Sequence, residues 1–295
     1  MTLRQHGRFP YSPIHARPVY EWPQGQRLAV YIALNIETFP FGEGLGPDLN
    51  PRQPEPDIVN YGWRDWGNRV GIWNLLEVMD ALELPAAALA NTAVYDHHPQ
   101  IMEALRARGD EVVGHGRTNA ERACDFSPHV EAQRIGECVA RIAAEEGNPP
   151  LGWMSPWVNQ SAQTPDLLAE AGLRYTLDWP MDDQPIRMQT AHGPLWALPY
   201  ARPTNDISAL HGARMPPRQW VETLFDAFDG MLEMSRRRPL VFNLSLHPYL
   251  IGHAHRLKPF RPFLEHLAAH RREVWITQPR HILKHVEALN HAGLL

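Results

Sequence analysis

Residues 28–36, LAVYIALNI, form an unbroken, mainly apolar run that ends in Asn35-Ile36 and is followed by Glu37. A run of this length, without the alternation of a half-exposed strand, reads as a strand buried on both faces, as in a parallel sheet. Downstream, Ile72, Leu75, Leu76, Met79 and Leu82 recur at helical spacing, with Asn68 as the expected cap, so strand and helix form a first βα unit. The same alternation continues. Ala86 to Ala90 leads to a helix over Pro99 to Arg108 closed by Gly109, and Glu111 to Val113 leads to one over Pro128 to Glu146 closed by Gly147.

Further strands are expected at Leu151 to Met154, Arg174 to Leu177, Leu195 to Leu198, Leu240 to Leu246 and Glu273 to Ile276. Between several of these lie helices, one capped by Thr164 and another from Pro217 to about Arg236, whereas Trp179 to Pro194 reads as loop. About eight strands with mostly helical crossovers, and no Gly-rich nucleotide turn after the first strand, predict an α/β fold of (β/α)-barrel type. We expect residues 1–27 to be an N-terminal extension packing on the barrel. Residues 28–295 are expected to form one catalytic domain, with a long insertion at 38–67 as a wall or lid of the pocket or, alternatively, a packing or oligomer-contact loop.

The 295 residues carry a net charge of −5 with no single-sign block, which disfavours nucleic acid or an anionic membrane surface as partner. No apolar run approaches the ~18 residues of a membrane span, and the first 18 residues lack the apolar segment of a signal peptide. The two cysteines, Cys124 and Cys138, are too few for a disulfide framework or a cysteine-built zinc site, and a reducing, cytoplasmic setting fits. The expected partner is a small-molecule substrate, with a homo-oligomer left open.

In a parallel barrel the reactive side chains come from the C-terminal strand ends. The polar residues falling there are Asn35 and Glu37, Asn91, His115 with Asn119, Ser155 and Trp157, Asp178 with Asp182 and Asp183, Tyr200 with Asn205 and Asp206, and His247. Asn35 and Glu37, two apart on a strand, face the same side. His115 lies between two glycines with little local packing, and His247 terminates an apolar run directly before Pro248. We therefore take Glu37, His115 and His247 as the catalytic candidates. Asn35, Asn119, Trp157, Asp178, Asp183, Tyr200, Asn205 and Asp206 are candidates for substrate contact. His253 and His255 form an H-x-H in a loop beside Arg256, which suits substrate contact better than a metal.

NRVGIW (68–73), EVVGHGRTN (111–119), GWMSPW (152–157), LDWPMDD (177–183), LPYARPTND (198–206) and LSLHP (244–248) resemble the polysaccharide-deacetylase family, also called NodB-homology or carbohydrate esterase 4-like. Within it they resemble the branch of the metal-independent allantoinases. The resemblance implies a distorted (β/α) barrel of the NodB type and hydrolysis of amide C–N bonds. In the deacetylases two aspartates end the first strand, one a base and one a metal ligand, and an H-[ST]-x-x-H motif supplies two histidine ligands. Here Glu37 stands at the ligand position and His115 at the first histidine, but Asn35 occupies the place of the base and Asn119 that of the second histidine. Met154 precedes Ser155 where the family has an arginine, and His247 retains the place of the histidine acid.

An amide is no general base and a poorer metal ligand than imidazole, so we expect either no cofactor or a weakly bound divalent metal such as zinc at Glu37, His115 and Asn119. Amides suit a neutral ureide or imide, because they both donate and accept hydrogen bonds. The leading expectation is an allantoinase-like hydrolase of a non-peptide C–N bond. A metal-dependent carbohydrate N-deacetylase and a catalytically inactive ligand-binding barrel are the alternatives.

Overall fold

A computed structural model describes residue 3 and residues 5–295. Among these, nine strands form one curled sheet: β1 (Leu28–Ile36), β2 (Ala87–Ala90), β3 (Glu111–Gly114), β4 (Gly152–Trp153), β5 (Tyr175–Thr176), β6 (Ile186–Thr190), β7 (Gly193–Ala197), β8 (Leu240–Leu246) and β9 (Trp275–Thr277). Their order is β6-β7-β5-β4-β3-β2-β1-β8, with β9 also paired to β1, and every pairing except β6 with β7 is parallel. A parallel bridge between Asn205 and Ser245 ties the chain beyond β7 to β8 and draws the open side of the sheet together. The result is the expected distorted (β/α) barrel.

Strand periodicity explains which residues reach the mouth. In β1, Leu28, Val30, Ile32, Leu34 and Ile36 pack outward with the helices, while Ala29, Tyr31 and Ala33 pack inside the barrel. Successive side chains alternate, so Asn35 and Glu37 continue the interior row where the apolar packing stops. The same phase runs through Val241, Asn243, Ser245 and His247 on β8, and through Val113 and His115 on β3. Apolar interior residues fill the barrel below, and the polar ones occupy its C-terminal end.

Two expectations are corrected. The segment Trp179 to Pro194 is not all loop: Ile186–Thr190 forms β6, an antiparallel hairpin partner of β7. Nor does Asn68 cap the first long helix. Helix begins at Ile58 inside the presumed insertion, capped by Asp57, whose side chain accepts from the Asn60 amide at 3.0 Å, and it continues through a π-helical stretch at Gly67–Gly71 into Ile72–Ala81. Such π stretches often sit at functional sites. Here two glycines let the helix press on the chain after His247: a Cβ on Gly67 would lie 2.7 Å from the Tyr249 nitrogen, and one on Gly71 would collide with the Pro248 carbonyl. A smaller correction is that Thr164 opens its helix as the first helical residue rather than as the cap.

Residues from the N-terminal segment lie against the barrel. Arg8 forms a paired ionic contact with Asp166, and Arg17 with Asp182 at 2.6 Å. Both cysteines are free, and among the described residues no helix is long and apolar enough to cross a membrane.

Candidate active site

A cavity of about 760 Å³ opens at the C-terminal strand ends, and Asn35, Glu37, His115, Asn119, Trp157, Tyr200, Asn205 and His247 all line it. Eight of the eleven candidate residues thus converge on one space. At its centre Oε1 of Glu37 faces Nε2 of His115 at 3.7 Å and Nε2 of His247 at 3.6 Å. These separations exceed a direct hydrogen bond, so the three groups surround a point rather than consume one another.

Each group is held from behind. His115 Nδ1 lies 2.8 Å from the Met154 carbonyl, which can only accept; Nδ1 is therefore the donor, and Nε2 is the nitrogen that faces the cavity. That Nε2 is buried and has no protein partner. Asn91 fixes the same turn, its amide donating to the His115 carbonyl while its oxygen accepts from the Thr38 amide. His247 Nδ1 lies 2.6 Å from Oδ1 of Asp206, whose other oxygen accepts the His247 backbone N–H at 2.7 Å. Glu37 Oε2 accepts from the Tyr249 hydroxyl at 2.8 Å, and Asn68 donates to the Glu37 carbonyl at 2.7 Å.

The electrostatics follow from these partners. Burial pushes Glu37 up, but His247, His115 and Tyr249 together outweigh it and hold the carboxyl below its ordinary value. Burial pushes His247 down, yet Asp206 and Glu37 more than compensate and raise it above the ordinary histidine value of 6.5. The surroundings therefore favour the ionised form of Glu37 and the protonated form of His247.

Asp206 does not line the cavity; it acts on His247. Asp178 likewise stands behind the wall, contrary to its expected place in the pocket. Both its oxygens are taken by Ser155, from the backbone amide at 2.7 Å and the hydroxyl at 2.8 Å, so it braces the turn that carries Pro156 and Trp157. Removing a buried acceptor of two such bonds, as in Asp178→Ala, is expected to cost on the order of 2–3 kcal/mol, read as a lowered urea midpoint. Asp183 lies elsewhere: its carbonyl accepts from Val241 near the start of β8, and it lines a separate surface groove with Arg17 and Asp182. His253 stacks flat on Trp66 at 3.7 Å and precedes a helix as its cap residue, which accounts for it without substrate.

Tyr249 was not read from the sequence. Its signal was its place two residues beyond His247, where Pro248 opens a one-turn helix that folds it back over the strand end. Asn68 was read as a helix cap, and the structure gives it to Glu37 instead.

A catalytic or structural zinc takes three or four good nitrogen, sulfur or carboxylate ligands. At the position the resemblance implies, the donors are one carboxylate, one imidazole and the amide of Asn119; a second imidazole, His247, faces the same Glu37 oxygen at 3.6 Å, and no group of three or more His, Cys, Asp or Glu is disposed to hold a metal among the described residues. As disposed among the described residues these groups do not form a zinc site, and Asn119 is a poorer ligand than the imidazole it replaces.

Fold and site together define a distorted (β/α) barrel of the NodB type that carries the acid–base cluster of a hydrolase at its mouth. The chain is similar over 95% of its length to the PuuE allantoinase structure, at 25% identity and a TM-score of 0.83, with 98% of that chain covered. It is 23% identical over 301 residues to a candidate polysaccharide deacetylase of Schizosaccharomyces pombe, covering 90% of this chain and 91% of that protein. A candidate polysaccharide deacetylase from Pseudomonas aeruginosa shares the fold at 24% identity and a TM-score of 0.82, with 94% of this chain and 97% of that one covered. No family model matches the chain.

Proposed function

We propose that this protein hydrolyses a non-peptide C–N bond of a small amide or ureide, in the manner of an allantoinase. The observation that carries the reading is the single carboxylate oxygen of Glu37 set between two imidazole Nε2 atoms, one ring backed at Nδ1 by a carbonyl and the other by the Asp206 carboxylate. The similarity to the allantoinase structure supports the substrate class.

The two imidazoles divide the work by what backs them. His115, with Nδ1–H fixed on a carbonyl, accepts the proton of the attacking water at Nε2, and the water oxygen bonds to the substrate carbonyl carbon. Glu37, kept ionised by its neighbours, is a weak base; it holds the water and stabilises the positive charge that develops on His115. As the tetrahedral intermediate collapses, His247 gives its Nε2 proton to the departing nitrogen, and Asp206 stabilises that imidazolium beforehand. The C–N bond breaks to a carboxylic acid and a free amine or amide nitrogen. Asn35 and Asn119 offer the amide contacts that a neutral ureide needs.

The test is a panel of cyclic ureides, cyclic imides and N-acetylated amino sugars, with products identified by NMR. Ring opening of a ureide or imide is expected. Release of acetate from the sugars, with the rings untouched, would overturn the reading in favour of an N-deacetylase.

A further inference from the structure

The cavity is much larger than a bare five-membered ureide ring requires, since spaces of several hundred Å³ ordinarily take drug-sized ligands. Its surplus space has a composition of its own. Around Glu37, His115 and His247 the lining is polar, but Met154, Trp157, Val158 and Pro180 add apolar lining, and Met154 and Val158 belong to one packed cluster.

That apolar lining is built at the expense of backbone strain. Trp157 and Val158 both lie in the left-handed region, with φ of 66° and 52°. For a β-branched valine this is a steric outlier, and two in succession persist only where surrounding contacts enforce them. The enforcing contacts are visible: Asp178 grips Ser155 just before the turn, and the Trp157 indole N–H donates to the Asn119 carbonyl at 2.9 Å. Trp157 is nevertheless 39% exposed and lines the cavity, so it is available for contact. The same Asn119 carries a buried side-chain oxygen with no partner, which ties the apolar lining to the reacting end of the cavity.

We infer that the substrate is a ureide or amide bearing a planar apolar substituent, which lies on Trp157 and Val158 while the reacting carbonyl sits among Glu37, His115 and His247. This inference rests on the proposed hydrolytic reading for the head of the substrate, but the substituent subsite is testable by binding alone. An aromatic face with adjacent aliphatic carbon suits a planar ring, by stacking and by removal of apolar surface from water.

The experiment compares hydantoin with 5-phenylhydantoin, by kcat/KM and by calorimetric binding to the full chain. The phenyl compound is expected to bind about tenfold tighter or better, and to show at least that preference in kcat/KM wherever turnover occurs. Trp157→Ala should bring the binding ratio close to one, Trp157→Phe should restore part of it, and Val158→Gly, which the positive φ tolerates, should reduce it without stacking loss. Equal binding of the two compounds, or no binding of either, would overturn the subsite. A binding preference without ring opening of any compound would leave the subsite standing and remove the hydrolytic reading instead.

Discussion

Replacing His247 with alanine is expected to lower kcat by about 10²–10⁴-fold while leaving KM nearly unchanged, because a general acid acts mainly as the leaving nitrogen departs. The geometry makes this residue hard to replace. Its ring is fixed through Nδ1 on Asp206 at 2.6 Å, its backbone N–H is held by the same carboxylate, and its Nε2 points at Glu37. An alanine leaves Asp206 buried without its ring partner and no proton donor within reach. Should KM rise with kcat intact, His247 would be a binding residue and the acid would lie elsewhere.

Asp206→Asn is the second large effect, and it separates position from protonation. The amide preserves the size of the side chain but removes the buried negative charge that raises His247 and can no longer demand a proton on Nδ1. We expect kcat to fall by about 10²-fold or more. The sign of the pH effect follows from the direction of the shift. His247 is held above 6.5, and in the proposed role it acts protonated, so activity is expected to persist to a pH above 6.5 and to fall as the pH rises through the raised value. In Asp206→Asn that value drops, and the alkaline limb of kcat/KM should move to lower pH. An unmoved limb would show that the limb belongs to another group.

Much of this site was legible because strand periodicity carries information to the strand end. Asn35 and Glu37, His115 and His247 each extend an interior row whose lower members are apolar, and alternation alone places them at one mouth. What could not be read depended on contacts distant in sequence. Tyr249 reaches Glu37 across 212 positions, after a proline that looks like simple termination. Asp178 sits at a strand end as expected, yet Ser155 on the neighbouring strand end turns its carboxylate away from the cavity. Asp183 follows Asp182 into a groove because Arg17, from the N-terminal segment, pairs with that neighbour.

The missed elements have local causes. In β6 only Met188 is buried, so IRMQT lacks the apolar content that marked the other strands, and only the tight turn leading to Gly193 signals a hairpin. The helix from Ile58 lay within the segment read as a long insertion, where Gly62 and Gly67 lower helix propensity. Gly67 and Gly71 are required by the close approach of Pro248 and Tyr249. The packing that needs them also positions the hydroxyl on Glu37.

The central claim is that side chains alone supply the acid and the base, with His115 and His247 on either side of Glu37. It is tested most directly by kcat/KM on the best ureide or imide, measured after exhaustive chelation and again after zinc is restored. The account predicts the same value in both states. Loss of activity on chelation, with recovery on stoichiometric zinc and failure of that recovery in Glu37→Gln, would contradict it.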